Sequence, residues 1–451
     1  METSSHRPEE SPYVPMDARM KQQHRFKEAT PEATSSSPSP SPSPYPSPSP
    51  SPSPKRASNF SLVMSPCSSP ESPWSLSPLH RHPAPPHLLF RCVATLSAKD
   101  GNVLAIAVAK GAVFTGSESK RVRVWQHPDC LERGSLRSSS GGVRSIHAVG
   151  DRVFTAHDDC RIRVWRVPKP NLPFRQERLA TLPTTSFFPR LRPHNLHRAP
   201  ITSLAYHQAE GLLYSGSVDC TVRSWCAADA RCIDCIAAHD DAVTAVALNP
   251  EDGTLFTASS DGTIKLWKRV WGQSAHTLTM TLRFQASPVN ALALAPRGRF
   301  LYSGSSDGFV NFWEKEGTSC RYNHGGLLQG HRFAVLCLAC AERIVVSGSE
   351  DATIRVWRRE GGSLHECLAV LEGHRGPVGC VAAWLEAEGG AVGVVVYSGS
   401  LDRTVKVWRL SIVNGGGEMK VEGEERVVEF ETSPVLSPSW VEKKLQAAYM
   451  Q

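Results

Sequence analysis

Histidine and aspartate recur along this chain at a fixed offset, with serine or threonine between them. His197 precedes Asp219, His239 precedes Asp261, His331 precedes Asp351, and His374 precedes Asp402. An imidazole, a hydroxyl and a carboxylate are the parts of a hydrolytic triad, in which the carboxylate orients the histidine and the histidine activates the hydroxyl. A triad, however, is one site, and this set occurs four times. Each set also runs into a tryptophan six residues after the aspartate: Trp225, Trp267, Trp357 and Trp408. Such regularity points to a repeated scaffold bond, and no unique polar cluster is left over for catalysis.

Other chemistry-bearing patterns are weaker. Cys232–Cys235 and Cys337–Cys340 have the spacing of metal or redox pairs. Both fall in expected strands, where residues three apart face opposite ways, so neither chelates naturally. His80, His82 and His87 lie in or beside a Pro-rich stretch, and no GxxxxGK[ST] phosphate loop is present. Neither metal nor cofactor is expected. Arg121, Arg123, Arg161, Arg163, Arg223, Lys265, Arg355 and Lys406 alternate with apolar residues, as solvated positions of half-buried strands do. Aromatic platforms are not interleaved with this charge, so direct nucleic-acid binding is not expected.

The element that positions these residues is a hairpin, best seen in Leu255–Trp267, LFTASSDGTIKLW. Asp261-Gly262 is a two-residue reversal, because glycine tolerates the positive φ that a tight turn needs. Thr263 to Trp267 then alternates polar and apolar. Copies end at Trp225, Trp313, Trp357 and Trp408, and weaker ones at Trp125 and Trp165. Steps between successive tryptophans are 40, 60, 42, 46, 44 and 51 residues. A short apolar strand precedes each hairpin and another follows, so one repeat is four strands. Seven such units at this period predict an all-β, seven-bladed β-propeller. The chain enters on an unmatched outer strand, Cys92 to Leu96, and leaves the repeats on a third strand at Trp408. The entering strand is therefore expected to complete the last blade and close the ring.

The ends differ in composition. Residues 1–87 are rich in Ser-Pro pairs and cannot build a core, so this arm is expected to be disordered. Ser65, Ser69, Ser72 and Ser77, with Ser433 and Ser437 near the other end, precede prolines and are candidate sites for proline-directed phosphorylation. The propeller is expected over 88–410 and an acidic, flexible tail over 411–451. In that tail Ser439 and Glu442 suggest the cap of a short helix carrying Trp440, Leu445 and Tyr449. The net charge of +7 is mild, no apolar run is long enough to span a membrane, and no secretory signal opens the chain. Thirteen cysteines without an export signal fit reduced thiols, hence cytoplasm and nucleus.

Taken together, the hairpins resemble the WD-repeat (WD40) β-propeller family. In that family the loop His, the second-strand Ser or Thr, the turn Asp and the third-strand Trp form one hydrogen-bonded chain. The resemblance carries that structural role onto His197, Asp219, Trp225, His239, Asp261, Trp267, His331, Asp351, Trp357, His374, Asp402 and Trp408. Ser139, Gln285 and Lys99 stand where blades two, five and one lack the His, and Ser119 where blade one lacks the Asp. The Asp after Trp is replaced throughout, by Arg166, Lys268, Glu314, Arg358 and Arg409 among others.

More narrowly, AHDDAVTAVAL (238–248), SPVNALAL (287–294), GHRFAVLCLA (330–339) and LEGHRGPVGCV (371–381) resemble the plant Jingubang-like subgroup. That implies a non-catalytic adaptor, a regulator of pollen germination acting through a transcription-factor partner, and a monomeric propeller. A substrate receptor of a cullin-RING ubiquitin ligase is the alternative. Its usual Trp-Asp-x-Arg ending is missing at Trp267-Lys268-Arg269-Val270 and at Trp357-Arg358-Arg359-Glu360. Loops before the first strands and at the Asp turns share one rim of a propeller. There Asp240, Asp241, Arg332, Phe333, Glu350, Arg375 and Leu401 are candidate partner contacts. The insertion before blade three adds Phe187, Phe188 and Arg190, with Leu191 and Arg192, an anchor-and-arginine composition.

Overall fold

The computed structural model describes residues 87–97, 100–109, 111–167, 173–183, 196–270, 273–284, 286–317, 319–360, 363–388, 391–413 and 426–427. These residues lie within one compact unit, Pro78–Gln451. Outside them fall the insertion residues Phe187, Phe188, Arg190, Leu191 and Arg192, Ser65, Ser69, Ser72, Ser77, Ser433 and Ser437, the Ser439–Met450 segment, and Lys99 and Gln285.

Seven sheets form a ring, each running from an inner first strand to an outer fourth one. Blade one comprises Val103–Ala109, Ala112–Ser117, Arg121–Gln126 and Glu132–Arg137; blade two, Val143–Val149, Arg152–His157, Ile162–Arg166 and Arg178–Leu182. Blade three comprises Ile201–His207, Leu212–Ser217, Thr221–Cys226 and Arg231–Ala237; blade four, Val243–Leu248, Leu255–Ser259, Ile264–Arg269 and His276–Leu282. Blade five has Val289–Leu294, Phe300–Ser305, Val310–Lys315 and Tyr322–Leu328; blade six, Val335–Ala341, Ile344–Ser349, Ile354–Arg359 and His365–Leu371. Blade seven takes Val378–Glu388, Ala391–Ser400 and Thr404–Val413 from the end of the repeats and His87–Ser97 from their start. The only helical turn among the described residues is the 3-10 turn Pro296–Gly298.

The entering strand does close the ring. His87–Ser97 runs antiparallel to Thr404–Val413, with His87 opposite Val413 and Ser97 opposite Thr404. The third strand of blade seven thus continues past Leu410, and Arg426–Val427 pairs with Leu89–Phe90 as a short fifth strand.

Neighbouring blades are drawn together by a missing side chain. A Cβ on Gly216 would lie 2.7 Å from Val243 of blade four, and one on Gly304 2.6 Å from Val335 of blade six. The glycine therefore lets the next blade's first valine seat against the sheet. Val243 and Val335 are fully buried, which contributes about 1.5–3 kcal/mol each. Hydrogen bonds tie the same seam: Thr202 Oγ1 donates to the Val243 carbonyl, and Asn290 Nδ2 to the Val335 carbonyl. A second seam lies nearer the outside, where sheet aromatics meet the next blade's residues. Tyr214 meets His276 Nε2 at 3.1 Å, and Tyr302 meets His365 Nε2 at 2.9 Å. Tyr397 contacts His127 across the closing junction, and His127 Nε2 is 3.1 Å from Glu386.

Candidate functional site

The seven third-strand tryptophans each donate Nε1–H to a second-strand hydroxyl at 2.9–3.1 Å, from Trp125–Thr115 to Trp408–Ser398. In blade three the Ser215 Oγ is also 2.8 Å from His197 Nε2, and His197 Nδ1 is 3.0 Å from Asp219 Oδ2. Blades four, six and seven repeat this with His239–Thr257–Asp261, His331–Ser347–Asp351 and His374–Ser398–Asp402. With a neutral imidazole, one proton arrangement satisfies every partner. Trp donates to the hydroxyl, the hydroxyl donates to Nε2, and the Nδ1–H donates to the carboxylate.

Burial holds the His239 and His374 imidazoles below their ordinary pKa even though Asp261 and Asp402 pull the other way. Burial alone would raise the Asp402 carboxyl. Hydrogen bonds from Thr404, the Arg375 amide and His374 reverse this and bring it down to about 2. The same competition leaves Asp219 and Asp351 well below the usual carboxylate range, held there chiefly by His197 and His331. These imidazole, hydroxyl and carboxylate groups thus face one another inside the walls of blades three, four, six and seven.

Blades one, two and five solve the problem differently. In blade two, Ser140 rather than Ser139 meets the turn carboxylate, its Oγ 2.6 Å from Asp159. Arg163 grips the same carboxylate. His157 supplies the imidazole, with Nε2 2.8 Å from Thr155 Oγ1. In blade one the partners are Asp100 and Arg123, 2.7 Å apart. In blade five His324 comes from the outer strand, stacks on Phe284 at 3.7 Å and meets Asn311 Oδ1 at 3.1 Å. The third-strand cations are also less solvated than alternation suggests. Arg163 is 2% exposed and Arg223 8%; Arg163 is held by Asp159 and by Ser140 of the preceding loop, and Arg223 reaches Cys232 on the outer strand.

One rim gathers the loops before the first strands and the turns after the second. In every blade a turn amide donates to a loop carbonyl: Glu118 to Asn102, Asp158 to Gly142, Val218 to Pro200, Ser260 to Ala242, Ser306 to Pro288, Glu350 to Ala334 and Leu401 to Pro377. The backbone of this rim is therefore repeated while its side chains vary. Arg332 and Arg375 give their amides to Asp351 and Asp402 and leave their side chains exposed. Asp240 does the same at Asp261, and Asp241 is exposed beside it. Phe333 is 59% exposed and Leu401 43%. Among the described residues no three of His, Cys, Asp and Glu converge in a way that could hold a metal ion.

The family profile "WD domain, G-beta repeat" matches residues 131–166, 189–226, 230–268, 276–314, 323–358 and 365–409. Together these cover just over half of the chain. The chain belongs to the WD-repeat family. Five of these matches begin at or beside an outer strand and 189–226 begins beyond Leu182, and each runs through the next hairpin to end at or just beyond its tryptophan. The first three strands of blade one, up to Trp125 and Gln126, lie outside these matches. Among curated proteins, the chain is 36% identical over 47 residues to pre-mRNA-processing factor 19 of Bos taurus. That stretch is 10% of this chain and 9% of the relative, about one blade, so the chain spans under a tenth of that protein's length. Among the described residues no helix is long and apolar enough to cross a membrane.

Proposed function

We propose that this WD-repeat propeller is a non-catalytic scaffold that binds partner proteins through the rim of blades six and seven. The observation that carries this reading is the division of labour at Arg332, Phe333, Arg375 and Leu401. Their backbones hold the rim, and their side chains project two large apolar groups flanked by two guanidiniums. Apolar anchors beside arginine are what protein interfaces use for most of their binding energy. The propeller adds rigidity, so little ordering entropy is lost when a partner docks.

The finer part of the proposal follows from the resemblance to Jingubang-like proteins. On this reading the chain is a plant regulator of pollen germination that works in cytoplasm and nucleus by holding a transcription factor. The test is proximity labelling in the protein's own cells, comparing the native chain with Phe333→Ala/Arg375→Ala/Leu401→Ala. The rim backbone bonds survive these changes, so the variant folds. We expect its partner set to collapse, with DNA-binding regulators prominent among the losses. An unchanged partner set would overturn the scaffold surface. Loss of partners without any DNA-binding regulator would remove only the finer part.

A further inference from the structure

The rim of blades six and seven does not use a second feature, a cavity of about 870 Å³ on blade two. Its walls include Ser139, Ser140, Asp159, Arg161, Arg163 and Arg178, with Thr181 at the outer strand. Three guanidiniums face one carboxylate there, which leaves two positive charges in excess. The carboxylate is already committed. Arg163 holds Asp159 at 2.6 Å and Ser140 Oγ reaches its second contact at the same distance. Among the described residues no carboxylate forms an ion pair with Arg161 or Arg178. Arg178 is exposed and Arg161 half-buried, so both guanidiniums are free to meet a ligand. The Nε of Arg163 is buried without a partner.

This local chemistry arises because blade two carries serines in its loop where blades three, four, six and seven carry a histidine. The loop reads Ser138-Ser139-Ser140-Gly141-Gly142, the imidazole that meets the second-strand hydroxyl comes from His157 instead, and hydroxyls and arginines line the cavity beside it. Two excess positive charges with several hydroxyl donors match a dianion better than a single carboxylate, and guanidiniums lining one cavity suit the oxygens of a phosphoryl group. The lining contains no aromatic ring on which a base could stack, which disfavours a nucleotide. Beside the cavity runs Arg178–Leu182, the outermost strand of its sheet, with one edge unpaired among the described residues and Leu179 39% exposed. An unpaired edge accepts an extended peptide.

We propose that blade two is a phosphopeptide site: a partner segment lies along Arg178–Leu182 and places a phosphoserine or phosphothreonine between Arg161 and Arg178. The site is separate from the Phe333–Leu401 rim, so either can fail without the other. The test uses the full chain, phosphatase-treated, against an immobilised peptide library fixed at phosphoserine followed by proline, and against its unphosphorylated twin. Retention of the phosphorylated form is expected to exceed the twin by about tenfold or more, since charge-assisted bonds are lost with the phosphate. Arg161→Gln/Arg178→Gln, which leaves the Trp165–Thr155–His157 bonds untouched, is expected to erase the difference at an unchanged melting temperature. Equal retention of both libraries, or a difference that survives the double substitution, overturns the proposal. Displacement by inorganic phosphate at concentrations equal to the peptide's own would show a free-anion site and overturn it as well.

Discussion

His157 sits inside the second strand of blade two, two residues after Thr155, and its Nε2 accepts from the Thr155 hydroxyl at 2.8 Å. Other blades place serine at this position, as at Ser217, Ser259 and Ser349, and bring the imidazole from the preceding loop. One residue has moved from the loop into the strand, and the bond to the hydroxyl has been kept.

Replacing that imidazole tests whether it holds the blade. His157→Ala leaves the buried Thr155 O–H with the Arg163 carbonyl, at a long 3.4 Å, as its acceptor, while Trp165 still donates to its oxygen. Such a loss costs about 1–3 kcal/mol. Chemical denaturation of the variant is expected to show a lower midpoint with an unchanged slope.

Acid should weaken the fold before its carboxylates titrate. Burial lowers the pKa of His147, His157, His324 and His365 to about 4, against about 6.5 in an unfolded chain. Their contribution is intact above about 6.5 and is lost as pH falls toward 4, because the unfolded chain binds more protons in that window. Each site costs up to about 1.4 kcal/mol per pH unit there. Melting temperature is therefore expected to be flat from pH 8 to 7 and to drop steadily from pH 6.5 to 4.5. Asp402, at about 2, stays ionised throughout and adds its loss only below about 3.9. A flat profile down to pH 4.5 would refute the assignment.

Turn strain offers a stabilising change. Cys220, Ala352 and Arg403 occupy left-handed backbone at φ 66°, 64° and 64°, where Gly262 sits at φ 78° in blade four. Glycine relieves a cost of roughly 1–2 kcal/mol and returns part of it as unfolded-state entropy. Ala352→Gly and Arg403→Gly are expected to raise the urea midpoint by up to about 1 kcal/mol in stability, and Gly262→Ala to lower it by about that amount.

The seam glycines predict a larger loss. A Cβ on Gly216 falls 2.7 Å from both Val243 and Val246, and those side chains belong to a buried cluster that cannot yield freely. Gly216→Val is expected to cost about 1–3 kcal/mol by overpacking, read as a lower melting temperature. Val243→Ala in the same background should recover part of it.

The blades were legible because each hairpin carries its own signals: an alternating strand, a turn that wants positive φ, and a terminal tryptophan. Even the atypical hairpin ending at Trp125 could be placed this way. The residues between blades were not legible. Tyr214 looks like any strand-forming aromatic, and its partner His276 lies in another blade 62 positions away. Ser140 was missed for a different reason. Counting back from Val143 lands on Ser139, but the Gly141-Gly142 pair changes the path of the loop, and the neighbouring hydroxyl reaches Asp159. The buried state of Arg163 depends on its ion pair with Asp159, which alternation along one strand cannot reveal.

Closure by the first strand has a consequence for how the protein is made. Thr95 and Lys406 hydrogen-bond across the last blade at 3.1 Å, yet they are 311 positions apart in the chain. At a synthesis rate of about 5–20 residues per second, the opening strand waits roughly 15–60 s for its partner to be made. Throughout that interval its backbone edges and Val93 are available to other chains. Every earlier blade can be assembled as it emerges, but the final one requires the two ends of the repeat array to meet. A nascent protein stalled just before residue 404 would hold six finished sheets, the first two strands of the seventh and one orphan strand, which makes late translation arrest the moment of greatest aggregation hazard.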